Sequence, residues 1–212
     1  RHLHSRCLDL VVGHREERQI VRDALARGGD AGMTAHCLVS GRNDTIERLH
    51  PSIKGVWGAQ MAGANIVSFN LDAFNSWGKT QGANAPVGKT AAFAYTTALN
   101  HLLGRDSRQR VQVGDASTVF WAEQGHPMED LFGDLMRDDP DRNTKAVKSL
   151  YRSVEMGISG FEEDGTRFFV LGLAPNAARI SVRFWHAATV SELAKKLSRH
   201  FADIELVSGP RD

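Results

Sequence analysis

Three lysines, four asparagines and two glutamines fall between Ile53 and Thr90, together with six glycines and a single acidic residue, Asp72. That mixture suits a polyanion. Ammonium groups neutralise phosphate, carboxamides offer paired donors and acceptors to base edges and sugars, and glycine lets backbone approach a ligand closely. The expected phosphate contacts are Lys54, Lys79 and Lys89. Gln60, Asn65 and Asn84 are expected at base edges or sugar, with Gln81 as a further nucleic-acid contact. Trp57 and Trp77 add flat apolar faces that could stack or wedge. Burial in the core is the competing reading for both tryptophans, and ordinary solvated surface for the lysines.

Other constellations carry less. Ala85–Thr90 reads APVGKT, and Gly-Lys-Thr at the start of a helix is what a phosphate-binding loop offers. A Walker A loop needs glycine at position 83, where Ala83 stands, and Gly82 comes one residue too early. The apolar strand that should lead into such a loop is missing. A helix N-terminus near Thr90 can still hold a phosphate through its free N–H groups. His2, His4, Cys7, His36 and Cys37 lack the paired spacing of a structural zinc site, so no metal is expected. Asp115 and Glu123 read as plain surface acids, and His50, before Pro51, as a packing or capping residue. No nucleophile has a convincing base, so neither catalytic residues nor a cofactor are expected.

These side chains must be held by an α+β fold of mixed, mainly antiparallel sheet elements with packed helices. Residues 1–29 carry helical spacing that ends at Gly28-Gly29. Cys37–Ser40 and Ile66–Phe69 are short apolar runs of strand type, and Asn70 is placed to cap a helix-like LDAFNSW. AAFAYTTALNHLL, closed by Gly104, is the clearest helix, with Ala92, Tyr95, Thr96, Leu99 and Leu103 on one face. RVQV, Gly114-Asp115 and STVFWA form a hairpin pattern. An acidic helix (MEDLFGDLM) and a basic one from Thr144 to about Met156 follow. Phe168–Leu173 and Arg179–Trp185 read as strands joined by Ala-Pro-Asn-Ala. Thr189 and Glu192 make a capping box for a last helix that buries Val190, Leu193, Leu197 and Phe201. The expected division is a helical segment over 1–35, a Gly/Asn-rich α+β region over 36–141 and a helix-strand-strand-helix region over 142–212.

The 212 residues hold 26 Lys plus Arg against 25 Asp plus Glu, so net charge does not identify a partner. Its distribution is more informative. Residues 53–113 carry six basic and two acidic side chains, residues 114–141 one basic and eight acidic, a segregation that can steer an anion to one face. Two cysteines without C-x-x-C spacing indicate a reduced, cytoplasmic protein. No apolar run approaches the ~20 residues of a membrane helix. The chain begins at Arg1 rather than Met and reads as an internal piece of something longer.

CLVSG at 37–41, RLHPSIKGVWGAQ at 48–60, ANIVSFN, AFNSWGKTQGANAPV and AAFAYTTALNHLL resemble blocks of the large subunit of the type I-C (Dvulg subtype) CRISPR surveillance complex, Cascade. VGDASTVFWAE at 113–123 and LGLAPNAARISVRFW at 171–185 are similar to later blocks, so the resemblance runs from Cys37 to about Phe201. Two departures stand out. Met61-Ala62 replaces a polar, Ser-rich turn, and Gly88-Lys89 replaces a Ser-acidic pair, which by itself creates the Walker lookalike. The resemblance implies a non-catalytic subunit that works with other Cascade subunits and a guide RNA. It implies PAM recognition in double-stranded target DNA, opening of the duplex and holding of the displaced strand, followed by recruitment of a helicase–nuclease. A P-loop-like nucleotide-binding enzyme and a purely structural scaffold subunit are the alternatives.

Overall fold

The computed structural model describes residues 32–137 and 164–204. The helices expected over 1–29 and 144–156, and the histidines and cysteine at positions 2, 4 and 7, lie outside the described residues. The elements are β1 (Thr34–His36), β2 (Asn43–Thr45), α1 (Lys89–Leu102), β3 (Arg110–Val113), β4 (Ala116–Ala122), α2 (Pro127–Arg137), β5 (Arg167–Asn176), β6 (Arg179–Thr189) and α3 (Val190–Ile204). β1 and β2 pair antiparallel, and the larger sheet runs in the order β3-β4-β5-β6. The class is α+β, as the order of elements implied.

The chain divides into two units. One comprises residues 1–119 and 172–184, the other residues 120–171 and 185–212.

In the first unit, α1 is built on the stripe its sequence proposes. Ala92, Thr96, Leu99 and Leu103 are buried, and Thr96 returns its hydroxyl to the Ala92 carbonyl at 2.8 Å, so its polar group is satisfied inside the helix. The β3–β4 hairpin turns at Gly114-Asp115, with Gly114 at φ +58 and Val113 opposite Ala116. β4 does not alternate as its pattern suggests: Ser117 and Thr118 are buried along with Val119. Asp115 pairs with Arg183 at 2.7 Å on the surface.

Three local expectations are corrected. Cys37–Ser40 is a turn following β1, closed by Gly41 N–H to the Cys37 carbonyl, and it leaves Leu38 and Val39 exposed. Ile66–Phe69 is irregular rather than a strand. Asn70 caps nothing: the short 3-10 helix Asp72–Phe74 starts after Leu71, while Asn70 Oδ1 accepts from Arg179 at 3.0 Å. The same guanidinium lies 4.2 Å from the centroid of Phe74, which ties this segment to the start of β6.

In the second unit, Phe132 of α2 meets Phe120 edge-on at 4.9 Å and Phe168 at 5.5 Å, forming an aromatic core. The capping box at α3 is formed in both directions. Thr189 N–H donates to Glu192 Oε2 at 3.0 Å, and Glu192 N–H to Thr189 Oγ1 at 3.2 Å. Val190 and Ala194 are fully buried, Leu193 and Leu197 are half-buried, and the Phe201 side chain lies outside the described residues. Asp164 ties α2 to β5: it accepts from Thr166 N–H and from His126 Nε2, each at 2.8 Å. Hydrogen bonds from Thr166, then from His126, hold its carboxyl down to about 2.

Candidate nucleic-acid interface

The Gly- and amide-rich stretch forms two loops of the first unit. The first is closed at its stem by a double hydrogen bond between Ile53 and Ala64, both 2.9 Å. Val56 is buried beneath it, and Trp57 N–H donates to Ser117 Oγ at 2.8 Å. Gly55 sits at φ +85 with its α-carbon so close to the end of α1 that a Cβ would stand 2.6 Å from the Leu103 carbonyl oxygen. Lys54, Gln60 and Trp57 are all exposed on this loop, the indole by 57%. The aliphatic stem of Lys54 runs beside Gly63, where a Cβ would meet Lys54 Cγ at 3.1 Å. The Lys54 amide donates to Asn100 Oδ1 at 2.7 Å, which fixes its backbone to α1.

The second loop is a tight hairpin over Ser76–Lys79, with Lys79 N–H to the Ser76 carbonyl at 2.9 Å. Trp77 and Gly78 at its centre both have positive φ, +52 and +68, the pattern of a type I′ turn. Glycine adopts that region freely, but a bulky L-residue does so at a cost. Trp77 is nevertheless there, 95% exposed. Asn84 holds the turn. Its Oδ1 accepts from Ser76 N–H at 3.1 Å, and its Nδ2 donates to the carbonyls of Lys79 at 3.3 Å and Gln81 at 3.1 Å. Core burial of the tryptophans, the competing reading, is therefore corrected for both.

The amides divide into two kinds. Gln60 is exposed with its side chain facing solvent, as a base or sugar contact requires. Asn84 spends its carboxamide on the turn. Asn65 donates from Nδ2 to the carbonyls of His50 at 2.6 Å and Pro51 at 3.4 Å, while its main-chain carbonyl accepts from Ile180 N–H. These two asparagines act as clamps that position the loops. Gln81, at φ +50 and half-buried, lines a cleft with Arg48, His50, Asn65, Ser68 and Phe69. The cleft measures about 40 Å³, room for a few water-sized groups. Arg48 is the cationic side chain that the lysine count passes over; its place at the head of the Gly-rich stretch is the signal that could have found it.

Lys54, Lys79 and Lys89 make no ion pair among the described residues. Lys54 and Lys79 are exposed. Lys89, half-buried, opens α1 after its N-cap Gly88. Pro86–Gly88 is extended chain, with Leu38 N–H bonded to Pro86 and Glu47 N–H to Val87, and Gly88 is bridged to Ile46. A Cβ on Gly88 would collide with the Asp44 carboxylate. An anion approaching this helix terminus meets a carboxylate already lying against it. The phosphate-holding terminus expected near Thr90 is thus opposed electrostatically.

His50 packs, as its position before Pro51 suggests. It is 6% exposed, its Nδ1 lies 2.6 Å from the Tyr95 hydroxyl, and its buried Nε2 has no partner among the described residues. Burial lowers the imidazole pKa and raises that of Tyr95 to about 12. The folded protein therefore binds less proton at His50 than the unfolded chain does. This contribution to stability is present above the unfolded value near 6.5 and is lost as pH falls below it. Urea midpoints measured from pH 7.5 to 5.5 are expected to fall for the native chain and to fall less for His50→Gln; equal slopes would contradict this.

No described helix is long and apolar enough to cross a membrane, and no group of three or more His, Cys, Asp or Glu among the described residues is placed to hold a metal ion. No curated protein matches the chain. Residues 8–212 match the family model described as CRISPR-associated protein (Cas_Csd1), and on that match the chain belongs to this family of CRISPR-associated proteins.

Proposed function

We propose that the chain is a non-catalytic large subunit of a type I-C guide-RNA surveillance complex. In this reading it contributes to PAM recognition, duplex opening and displaced-strand binding. Its partners are the other Cascade subunits, the guide RNA, double-stranded target DNA and a recruited helicase–nuclease. Family membership supports a role in CRISPR defence. The observation that carries the DNA contact is the pair of hydrogen-bonded loops presenting exposed Trp57 and Trp77 together with exposed Lys54 and Lys79, which have no carboxylate partner among the described residues. Lysines there would supply phosphate contacts, and the indoles would stack on bases. Guide pairing reads sequence in such systems while protein reads the short flanking motif and backbone, and strand exchange is nearly balanced, so a few such contacts can tip it.

The scaffold alternative draws on a specific observation, the bare Leu38-Val39 turn, which suits a protein neighbour. A P-loop enzyme is disfavoured by the extended Pro86–Gly88 and by Asp44 against Gly88. Photocrosslinking of the assembled complex to PAM-bearing duplex separates the readings. Adducts within residues 48–90 are expected; adducts confined to other segments would favour the scaffold.

A further inference from the structure

The centre of a β-turn is normally polar or glycine. The turn Gln60–Gly63, closed by Gly63 N–H to the Gln60 carbonyl at 2.9 Å, instead carries Met61, 99% exposed. At that exposure the side chain contributes no packing among the described residues. The loop beneath it is seated by the Ile53–Ala64 stem, by buried Val56, by Trp57 N–H on Ser117, and by Gly58, whose Cβ would lie 3.3 Å from Pro175. A firmly held backbone thus displays a bare, unbranched apolar finger. Residues 54–63 contain no acidic side chain, and the Lys54 stem lies against Gly63 at the foot of the turn. An apolar tip flanked by a cation and an exposed carboxamide matches nucleic acid, where methionine is among the side chains that wedge between base steps.

We infer that Met61 inserts at a base step of duplex DNA while Lys54 holds an adjacent phosphate. This adds Met61 to Trp57 and Trp77 as a base-contacting residue, and the inference rests on the reading that these loops face DNA. The insertion is non-covalent: the thioether and its methylenes replace one base as stacking partner of the next.

The test uses the full-length protein in its assembled guide-RNA complex, with 2-aminopurine placed along the target duplex. Met61→Ser is expected to reduce the fluorescence gain at one step by roughly tenfold, and Met61→Leu is expected to retain it. Lys79→Ala, measured in parallel for salt dependence of binding, reports on the DNA-facing reading itself. A native signal from Met61→Ser with an altered Lys79→Ala slope would overturn the insertion and leave that reading standing. Loss of co-purifying protein subunits in Met61→Ser would overturn it in favour of a protein contact. Native behaviour of both variants would remove the reading and the insertion together.

Discussion

Trp77→Asn is expected to make the Ser76–Lys79 turn more stable and DNA binding weaker. A tryptophan at φ +52 carries a left-handed penalty of about 1–2 kcal/mol. Asparagine tolerates that region, and Asn-Gly is the favoured pair for a type I′ turn. The melting temperature should therefore rise slightly. The indole, 95% exposed, contributes no core packing to offset that gain. If it stacks on a base, its removal costs about 1–3 kcal/mol of binding, roughly five- to 150-fold in Kd. Strain kept at an exposed residue by one hydrogen bond accepted and two donated by Asn84 makes sense when the residue has work outside the fold. A thermal melt and a binding isotherm of the assembled complex decide it. A lower melting temperature would refute the strain, and an unchanged Kd would remove Trp77 from the interface.

Gly55→Ala should be the most damaging single-methyl change in the first loop. Its φ of +85 disfavours any Cβ, and that Cβ would stand 2.6 Å from Leu103 O, a backbone atom at the end of α1 that cannot swing aside. Left-handed strain and overpacking together are worth about 2–4 kcal/mol, or roughly 5–15 °C in melting temperature. Gly41 provides the control, because it has φ +67 and nothing within 4 Å, so Gly41→Ala carries the backbone term alone. Equal losses in the two variants would show that the Leu103 contact is not tight. Because Gly55 seats the segment bearing Trp57 and Met61, the first variant should also lose DNA binding, while the second should not.

Elements with their own local logic were readable from the sequence. The Ala92–Tyr95–Thr96–Leu99–Leu103 stripe (Tyr95 half-buried), the Gly114-Asp115 turn and the Thr189–Glu192 capping box are each set by residues a few positions apart, and each forms as expected. β1 and β2 were not readable. TAH and NDT are three polar or small residues apiece and are strands only because each is the other's partner. The apolar runs at Cys37–Ser40 and Ile66–Phe69 misled for the converse reason: hydrophobicity without alternation or pairing does not specify a strand.

The site divides along the same line. Composition singled out the Gly- and amide-rich stretch, in which Lys54 and Lys79 are exposed and Lys89 is half-buried. It could not assign the carboxamides. Every asparagine has the same donors and acceptor, and only the folded loops show that Asn65 and Asn84 spend theirs on backbone while Gln60 keeps its own. Nor could it decide between exposure and burial for Trp57 and Trp77, since the turn that bares Trp77 is held by a residue seven positions further on.

The central claim is that these loops touch nucleic acid through unpaired lysines. Its most direct test is the salt dependence of duplex binding by the assembled complex, plotted as log K against log salt for the native protein, Lys54→Ala and Lys79→Ala. Each lysine that neutralises a phosphate should flatten the slope by about 1 when removed, with affinity lowered across sequences alike. Slopes that superimpose on the native line for both variants would contradict the account.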